Sequence, residues 1–168
     1  SVIAKGTLVV IGASLWIGFV AGAFQQLIRY PLARKRPVKT AVFIGIGFGL
    51  GEAILLPFLG IFASQTPTAV FSLNWSLIGL YERFIITLFH GASTAIIAYA
   101  YENGWGLKAL AGLIFLHGVI DTFAGYYQFK GTQFILIMVL LMSTVVSLGL
   151  LYYTVNKTRE EPFFEINN

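Results

Sequence analysis

The sequence predicts an all-α protein, a polytopic transmembrane bundle of about five helices. Of its 168 residues, 57% are hydrophobic and only 11% are charged, whereas an average soluble domain has about 25% charged residues. Five separate apolar stretches also reach the roughly 20 residues that a helix needs to cross the bilayer core. A soluble fold of this length could not bury so much apolar surface, so the lipid bilayer is the first partner that we expect.

The first two predicted helices flank a basic segment. Helix A is predicted over 7–28 and helix B over 40–62. The segment between them contains five basic residues and two helix-breaking prolines: Arg29, Arg34, Lys35, Arg36, Lys39, Pro31 and Pro37. Positive charge beside a span marks the cytoplasmic side, so the N-terminus is predicted outside. Helix A is longer than a signal-peptide core, and we expect it to be retained.

Three further helices complete the predicted bundle. Helix C is predicted over 75–100, helix D over 107–128 and helix E over 132–153. The uncharged segment 63–74 then lies outside, and the turn at 101–106, with the turn signal Asn103-Gly104, lies inside. A charged tail over 154–168 is predicted to be cytoplasmic. We expect a single integral membrane domain over 1–168, in the cell (plasma) membrane.

Cysteine content and charge exclude several function classes. The chain has no cysteine, which removes disulfides, zinc thiolate sites and cysteine nucleophiles. The formal net charge is +4, but the basic residues cluster beside a span and are an orientation signal. We therefore predict no nucleic-acid partner.

Helices B, C and D carry ionisable side chains within the spans. Such a side chain costs about 2.5–3.5 kcal/mol at mid-bilayer and by default marks a functional site. The six candidates are Glu52 on helix B, Glu82, Arg83 and His90 on helix C, and His117 and Asp121 on helix D. Helices A and E lack such residues within their predicted spans, so we expect them only to pack and the chemistry to come from the other three.

Depth and facing predict that these side chains meet. Counting about 1.5 Å per residue from the outer helix ends places Glu52 and His117 both about 15 Å deep. Arg83 and His90 are seven residues apart, and His117 and Asp121 are four apart, so each pair shares one helix face. The economical arrangement is a polar cavity between helices B, C and D.

Glycines on helix B are predicted to bring it close to a neighbour. Gly45 and Gly49 are four residues apart, as are Gly47 and Gly51, which is the small-residue spacing of close transmembrane helix contacts. No strand precedes them and no Gly-Lys-Ser/Thr follows, so a nucleotide-binding loop is not indicated. Glu52, next along the chain, is therefore expected to contact another helix.

Several of these motifs together resemble a known family. They are the run from Gly45 to Ala53 (GIGFGLGEA), Glu82-Arg83, Phe89-His90 and the run from His117 to Asp121 (HGVID). In this order they resemble the YhfC family of intramembrane peptidases, which is similar to the CPBP (CAAX-prenyl endopeptidase-like) and PrsW membrane proteases. The likeness covers helices B to D, about half of the chain.

Those proteases carry EExxxR, FxxxH and HxxxN motifs on three helices, and the resemblance assigns roles here. Glu52 matches the second glutamate, His90 the middle histidine, and His117-x3-Asp121 an HxxxD variant. Three positions depart from the pattern: Gly51 replaces the first glutamate, Leu56 the arginine, and Ile86 the phenylalanine. Arg83 is the candidate to replace the missing cation.

The resemblance implies an intramembrane endopeptidase that hydrolyses a peptide bond in a membrane-embedded peptide or protein substrate, without a cofactor. Glu52 would deprotonate the attacking water, with His90 assisting. His117 and Asp121 would hold that water or stabilise the oxyanion, as preorganised donors do.

Other interpretations of the polar residues stay open. Two histidines and a carboxylate could hold a catalytic zinc ion with one position left for water. Glu82 or Asp121 could form a purely structural ion pair with Arg83. The cluster could also serve a proton- or metal-ion-coupled transporter component, or fix helix packing in a non-catalytic scaffold subunit.

Overall fold

The predicted all-α class is confirmed. The computed structural model describes residues 6–63 and 77–158, with side chains described over 6–56 and 77–157. These residues form helices and short turns, with no strand among them. The helices are α1 (Thr7–Ala33), α2 (Val38–Ala63), α3 (Leu77–Glu102), α4 (Gly106–Lys130) and α5 (Gln133–Thr158). Each is long and apolar enough to cross a bilayer, so the chain is an integral membrane protein.

Two predicted helix ends are wrong. Helix α1 continues through Pro31 to Ala33, so Arg29 lies within the helix and not in the loop. The proline removes a hydrogen-bond donor only in the last turn, where the burial of Tyr30 and Ala33 favours continuation. Helix α5 likewise extends past the predicted tail boundary to Thr158. The predicted outer loop from residue 64 and the tail from residue 159 lie outside the described residues.

Helix α3 is the centre of the bundle. It is buried without interruption over 89–98 and packs against all four other helices. Helix α2 packs mainly on α3, whereas α1 packs mainly on α4. Within the described residues α2 and α4 share no packed interface. The cavity between helices B, C and D stays a prediction, and helix α1 also packs against both α3 and α4.

The side chains are distributed as lipid requires. Large apolar residues such as Trp16, Phe43 and Leu141 are exposed, because lipid is as apolar as a protein interior and gives no reason to bury them. Many buried positions are instead small or polar, and small residues allow helices to approach closely. On α1 the buried face includes Ser14, Gly18, Gly22, Gln26, Arg29 and Ala33.

The two ends of the bundle differ in charge. The end formed by the α1–α2 turn, the α3–α4 turn and the last turn of α5 is called the basic end below. Its basic residues are Arg34, Lys35, Arg36, Lys39, Lys108 and Lys157. The predicted turn there is confirmed, with Gly104 at φ +80°. At the opposite end, α4 finishes at Lys130.

An apolar core fills the half of the bundle next to the basic end. It is built from the last turns of α1 and α3 and the first turns of α2 and α4. Its buried residues are Tyr30, Ala33, Val38, Ala41, Ala95, Ile96, Ile97, Ala98, Ala100, Ala109, Leu110 and Leu113. The ionisable side chains predicted as a site lie beyond this core.

Candidate active site

Glu52 and His90 form a pair across the α2–α3 interface. The Nε2–H group of His90 donates a hydrogen bond to Oε2 of Glu52 over 3.0 Å. His90 is completely buried, whereas Glu52 keeps part of its surface exposed. A carboxylate and an imidazole in direct contact are the groups that proton transfer needs.

Two glycines of α2 allow this contact. A Cβ atom at Gly49 would lie 2.8 Å from Cα of Thr87 and 3.1 Å from Cδ2 of His90. A Cβ atom at Gly45 would overlap the backbone carbonyl oxygen of His90. Gly47 and Gly51 have nothing within 4 Å at that position. Only the first of the two predicted glycine pairs therefore lies at the close approach.

Arg83 lies on the other side of Glu52. Its Nη1 atom is 3.8 Å from Oε1 of Glu52, and its Nη2 donates to Oε1 of Glu82 over 2.8 Å. Arg83 and His90 therefore flank the same carboxylate, as their shared helix face predicted. Oε2 of Glu52 is held by His90, while Oε1 makes no hydrogen bond within the described residues.

His117 occupies the α1–α4 interface. The Nε2 amide of Gln26 donates to Nδ1 of His117 over 3.4 Å. This contact makes Nδ1 the acceptor and leaves the proton on Nε2. Nε2 of His117 faces Oδ2 of Asp121, one turn further along α4, at 3.5 Å.

The two histidines meet where these interfaces join. Their ring centroids are 5.4 Å apart. The ring of Phe89 lies edge-on to His117 at 4.9 Å, and that of Phe48 lies edge-on to His90 at 5.2 Å. One polar layer thus contains side chains from α1, α2, α3 and α4.

Sequence reasoning missed Arg29 and Gln26, which both come from α1. Arg29 is completely buried, and its Nη1 donates to the carbonyl oxygen of His90 over 3.1 Å. The same atom also contacts the hydroxyls of Ser93 and Thr94, each at 2.9 Å. Helix α1 therefore does more than pack, contrary to the prediction.

A signal for this contribution is present in the sequence. Gly18, Gly22 and Gln26 follow one another at intervals of four residues, which places them on one face of a helix. Cβ atoms at Gly18 and Gly22 would meet the backbone of α4 near Thr122 and Gly118. This small-residue spacing is the same as that of Gly45 and Gly49 on α2.

The grouping of the histidines and carboxylates bears on metal binding. Within the described residues, no three His, Asp or Glu side chains are grouped as metal ligands. Glu52 and Asp121 are instead each in contact with a different histidine. What the arrangement offers is one carboxylate–imidazole pair, with a second histidine beside it.

No family model, curated protein or solved structure matches this chain.

Proposed function

We propose that this protein is an intramembrane endopeptidase that hydrolyses a peptide bond with a water activated by Glu52. The observation that carries the proposal is the 3.0 Å contact between Glu52 and the buried His90 within two membrane-spanning helices. Ionisable groups at such depth are costly, and those retained there mark functional sites by default. Resemblance to the YhfC family supports the same activity.

The proposed reaction uses the free oxygen of Glu52. His90 holds Oε2, so Oε1 is the atom that accepts a proton as the water oxygen bonds to the scissile carbonyl carbon. The Nε2–H group of His117 donates to the resulting oxyanion, which preorganised donors stabilise. The proton on Glu52 then passes to the amide nitrogen as the oxyanion reforms the carbonyl and the C–N bond breaks, leaving a carboxylic acid and an amine.

Arg83 and Asp121 have supporting roles in this proposal. Arg83, 3.8 Å from Glu52 and paired with Glu82, supplies the cation that the family pattern places elsewhere. Asp121, whose Oδ2 faces Nε2 of His117 at 3.5 Å, holds that N–H group until the oxyanion forms and takes over the hydrogen bond. No cofactor is needed, and zinc bound by the histidines and Glu52 is the alternative that the experiment below separates.

The setting of the reaction is proposed from charge. Basic residues on membrane proteins are enriched on the cytoplasmic side, so we place the basic end in the cytoplasm, the N-terminus outside and the protein in the cell membrane. The substrate is then a membrane-embedded peptide or protein.

The test does not require a known substrate. Membranes from cells that express the wild type or Glu52→Gln are incubated in ¹⁸O-labelled water, and new peptide termini are identified by mass spectrometry. We expect cleavage sites within apolar segments, with one ¹⁸O atom in each new carboxylate. Glu52→Gln and His90→Ala should each lower this cleavage by about 10²–10⁴-fold, the usual contribution of a general base.

A chelator separates glutamate chemistry from zinc chemistry, and a control variant accompanies the test. Phe43→Leu, which alters a lipid-exposed position, is the matched control and should cleave like wild type. Cleavage that persists in chelator supports glutamate chemistry, and its loss would indicate zinc. Identical termini in wild type and Glu52→Gln membranes would contradict the proposal and leave a scaffold or a transporter component.

A further inference from the structure

The exposure of the polar side chains at the α2–α3 interface falls steadily from the first turns of α3 to His90. Side-chain exposure falls from 33% at Glu82 to 23% at Arg83, 17% at Glu52 and 0% at His90. Glu82 is five residues from the start of α3 and His90 is thirteen. At about 1.5 Å per residue, His90 therefore lies about 12 Å deeper than Glu82, measured from the end opposite the basic end. A polar path of decreasing exposure therefore leads from that end to the site.

Arg29 closes the site on the other side. Its guanidinium lies one helical turn beyond His90, among the carbonyl oxygen of His90 and the hydroxyls of Ser93 and Thr94. The ring of Phe48 lies 5.2 Å from the centre of that guanidinium. All of the groups that donate or accept these hydrogen bonds are buried.

Beyond Arg29 the described core between α1, α2, α3 and α4 is apolar as far as the basic end. It is packed from both small and large apolar residues, among them Ala33, Val38, Ala41, Ala95, Ala98 and Leu110. Water is not stabilised among apolar side chains that offer it no hydrogen-bond partner. The two sides of the site thus differ: one side has charged, partly exposed groups, and the other a buried cation followed by a dry core.

We infer that the Glu52–His90 site is a one-sided inlet, which takes water and the polar groups of its substrate from the compartment opposite the basic end, with Arg29 as its inner stop. With the basic end in the cytoplasm, the inlet opens to the extracytoplasmic side. The proposed substrates are then membrane proteins in which the peptide bond to be cleaved can be reached from that side. The path for water does not depend on hydrolysis, whereas the substrate class rests on the proposed function.

The absence of cysteine makes the access path measurable. Single cysteines replace Glu82 and Thr87 along the inlet, Ser93 beside Arg29, and Lys35 and Lys130 as markers of the two ends. Each variant is treated in sealed, oriented membrane vesicles with a charged, membrane-impermeant methanethiosulfonate, added to one side at a time. The reagent needs a hydrated thiolate, so its rate reports access to water.

The expected pattern distinguishes the two sides. Glu82→Cys and Thr87→Cys should react at least about tenfold faster from the side that labels Lys130→Cys than from the side that labels Lys35→Cys, because the thiolate must be hydrated. Ser93→Cys should react from neither side. Phe43 is 73% exposed on the outer surface of α2, and Phe43→Cys is the lipid-facing control that should react from neither side, because lipid does not hydrate a thiolate.

A second variant tests the inner stop. In Arg29→Ala, Ser93→Cys should become reactive from the Lys130 side. Equal or faster labelling of Thr87→Cys from the Lys35 side would overturn the inference. So would a failure of both inlet cysteines to react from either side, since they would then face lipid or a closed interior. If Arg29→Ala does not fold, the Glu82 and Thr87 variants still decide the question in the otherwise unchanged chain.

Discussion

The α2–α3 and α1–α4 interfaces are built in the same way but hold different chemistry. Each has glycines four residues apart, Gly45 and Gly49 in one and Gly18 and Gly22 in the other, where an added Cβ would meet the facing helix. Each also buries one histidine. Small residues are what lets helices approach in lipid, where the hydrophobic effect does not drive them together.

The partners of the two histidines differ. His90 contacts a carboxylate of the neighbouring helix at 3.0 Å, whereas His117 contacts a neutral amide of its neighbour at 3.4 Å. The carboxylate near His117 belongs to its own helix and is further away, at 3.5 Å. A carboxylate beside an imidazole suits proton transfer, whereas the amide contact fixes a tautomer.

The partners of the two histidines show which contacts depend on helix packing. The Glu52–His90 contact joins residues 38 positions apart and exists only if α2 and α3 are correctly placed. His117 and Asp121 are brought together by a single helical turn whatever the bundle does. Substitutions that separate the helices should therefore affect the first pair more than the second.

The largest effect on stability is expected at Gly45. Gly45→Ala places a methyl group against the backbone carbonyl of His90, and a backbone atom cannot rotate away. We expect the free energy of unfolding to fall by about 1–3 kcal/mol, the usual range for overpacking, with cleavage falling as Glu52 separates from His90. Unfolding in mixed micelles with rising dodecyl sulfate measures the first, and terminus analysis the second.

Gly47→Ala is the control for this prediction. Gly47 lies on the same helix with nothing within 4 Å of its added Cβ, and alanine favours a helix over glycine. It should leave stability unchanged or raise it slightly. Equal destabilisation by the two substitutions would mean that the α2–α3 interface does not depend on close approach at Gly45.

A smaller effect is expected at the other interface. Gly22→Ala places its Cβ 2.7 Å from the backbone nitrogen of Gly118 and 3.0 Å from its Cα. This approach is less close than that of Gly45 to the carbonyl oxygen of His90, so we expect a loss of about 1 kcal/mol, the low end for overpacking. The same micelle titration measures it, with Gly12→Ala, where nothing lies within 4 Å, as the control.

The cleavage activity of Gly22→Ala, set against that of Gly45→Ala, tests whether the two interfaces act independently. Because Glu52 and His90 both lie on the α2–α3 interface, their contact should survive this substitution better than Gly45→Ala. A loss of cleavage as large as that of Gly45→Ala would show that the two interfaces act as one unit and that the distinction between them does not hold.

The fold was predictable from the sequence because a helix that crosses lipid must be long and apolar. The lengths of the apolar stretches predicted five helices, and five are present in the described residues. The turn predicted at Asn103-Gly104 is formed with Gly104 at φ +80°. The end of α1 was mispredicted at Pro31, since a local rule about proline did not include the burial of Tyr30 and Ala33. Tertiary packing overrides local preference in that last turn.

The sequence also predicted part of the site. The glycine spacing before Glu52 indicated the contact with a neighbouring helix, and the spacing of Arg83 and His90 indicated their common face. The place of Arg29 was not predictable from charge, because an arginine next to two prolines and a basic run is typical of a loop. Only the face shared by Gly18, Gly22 and Gln26 indicated that α1 approaches the polar layer.

The smallest effect is expected at Gln26, whose role is orientation. Gln26→Leu removes the donor to Nδ1 of His117 while keeping similar volume, so stability should change by no more than about 1 kcal/mol, the net value of one hydrogen bond. Without this donor, only the 3.5 Å contact with Asp121 still favours the proton on Nε2 of His117, and we expect about a tenfold decrease in cleavage, less than the loss of an oxyanion donor itself.

The neighbouring glutamine provides the control for this last prediction. Gln25→Leu makes the same chemical change on the same helix, and its side chain makes no contact with His117 among the described residues. It should cleave like wild type, while ¹⁵N spectra of the histidine rings should report mixed tautomers of His117 only in Gln26→Leu. A His117 spectrum that Gln26→Leu leaves unchanged would remove the amide from the mechanism, and the α1–α4 interface would then contribute His117 alone.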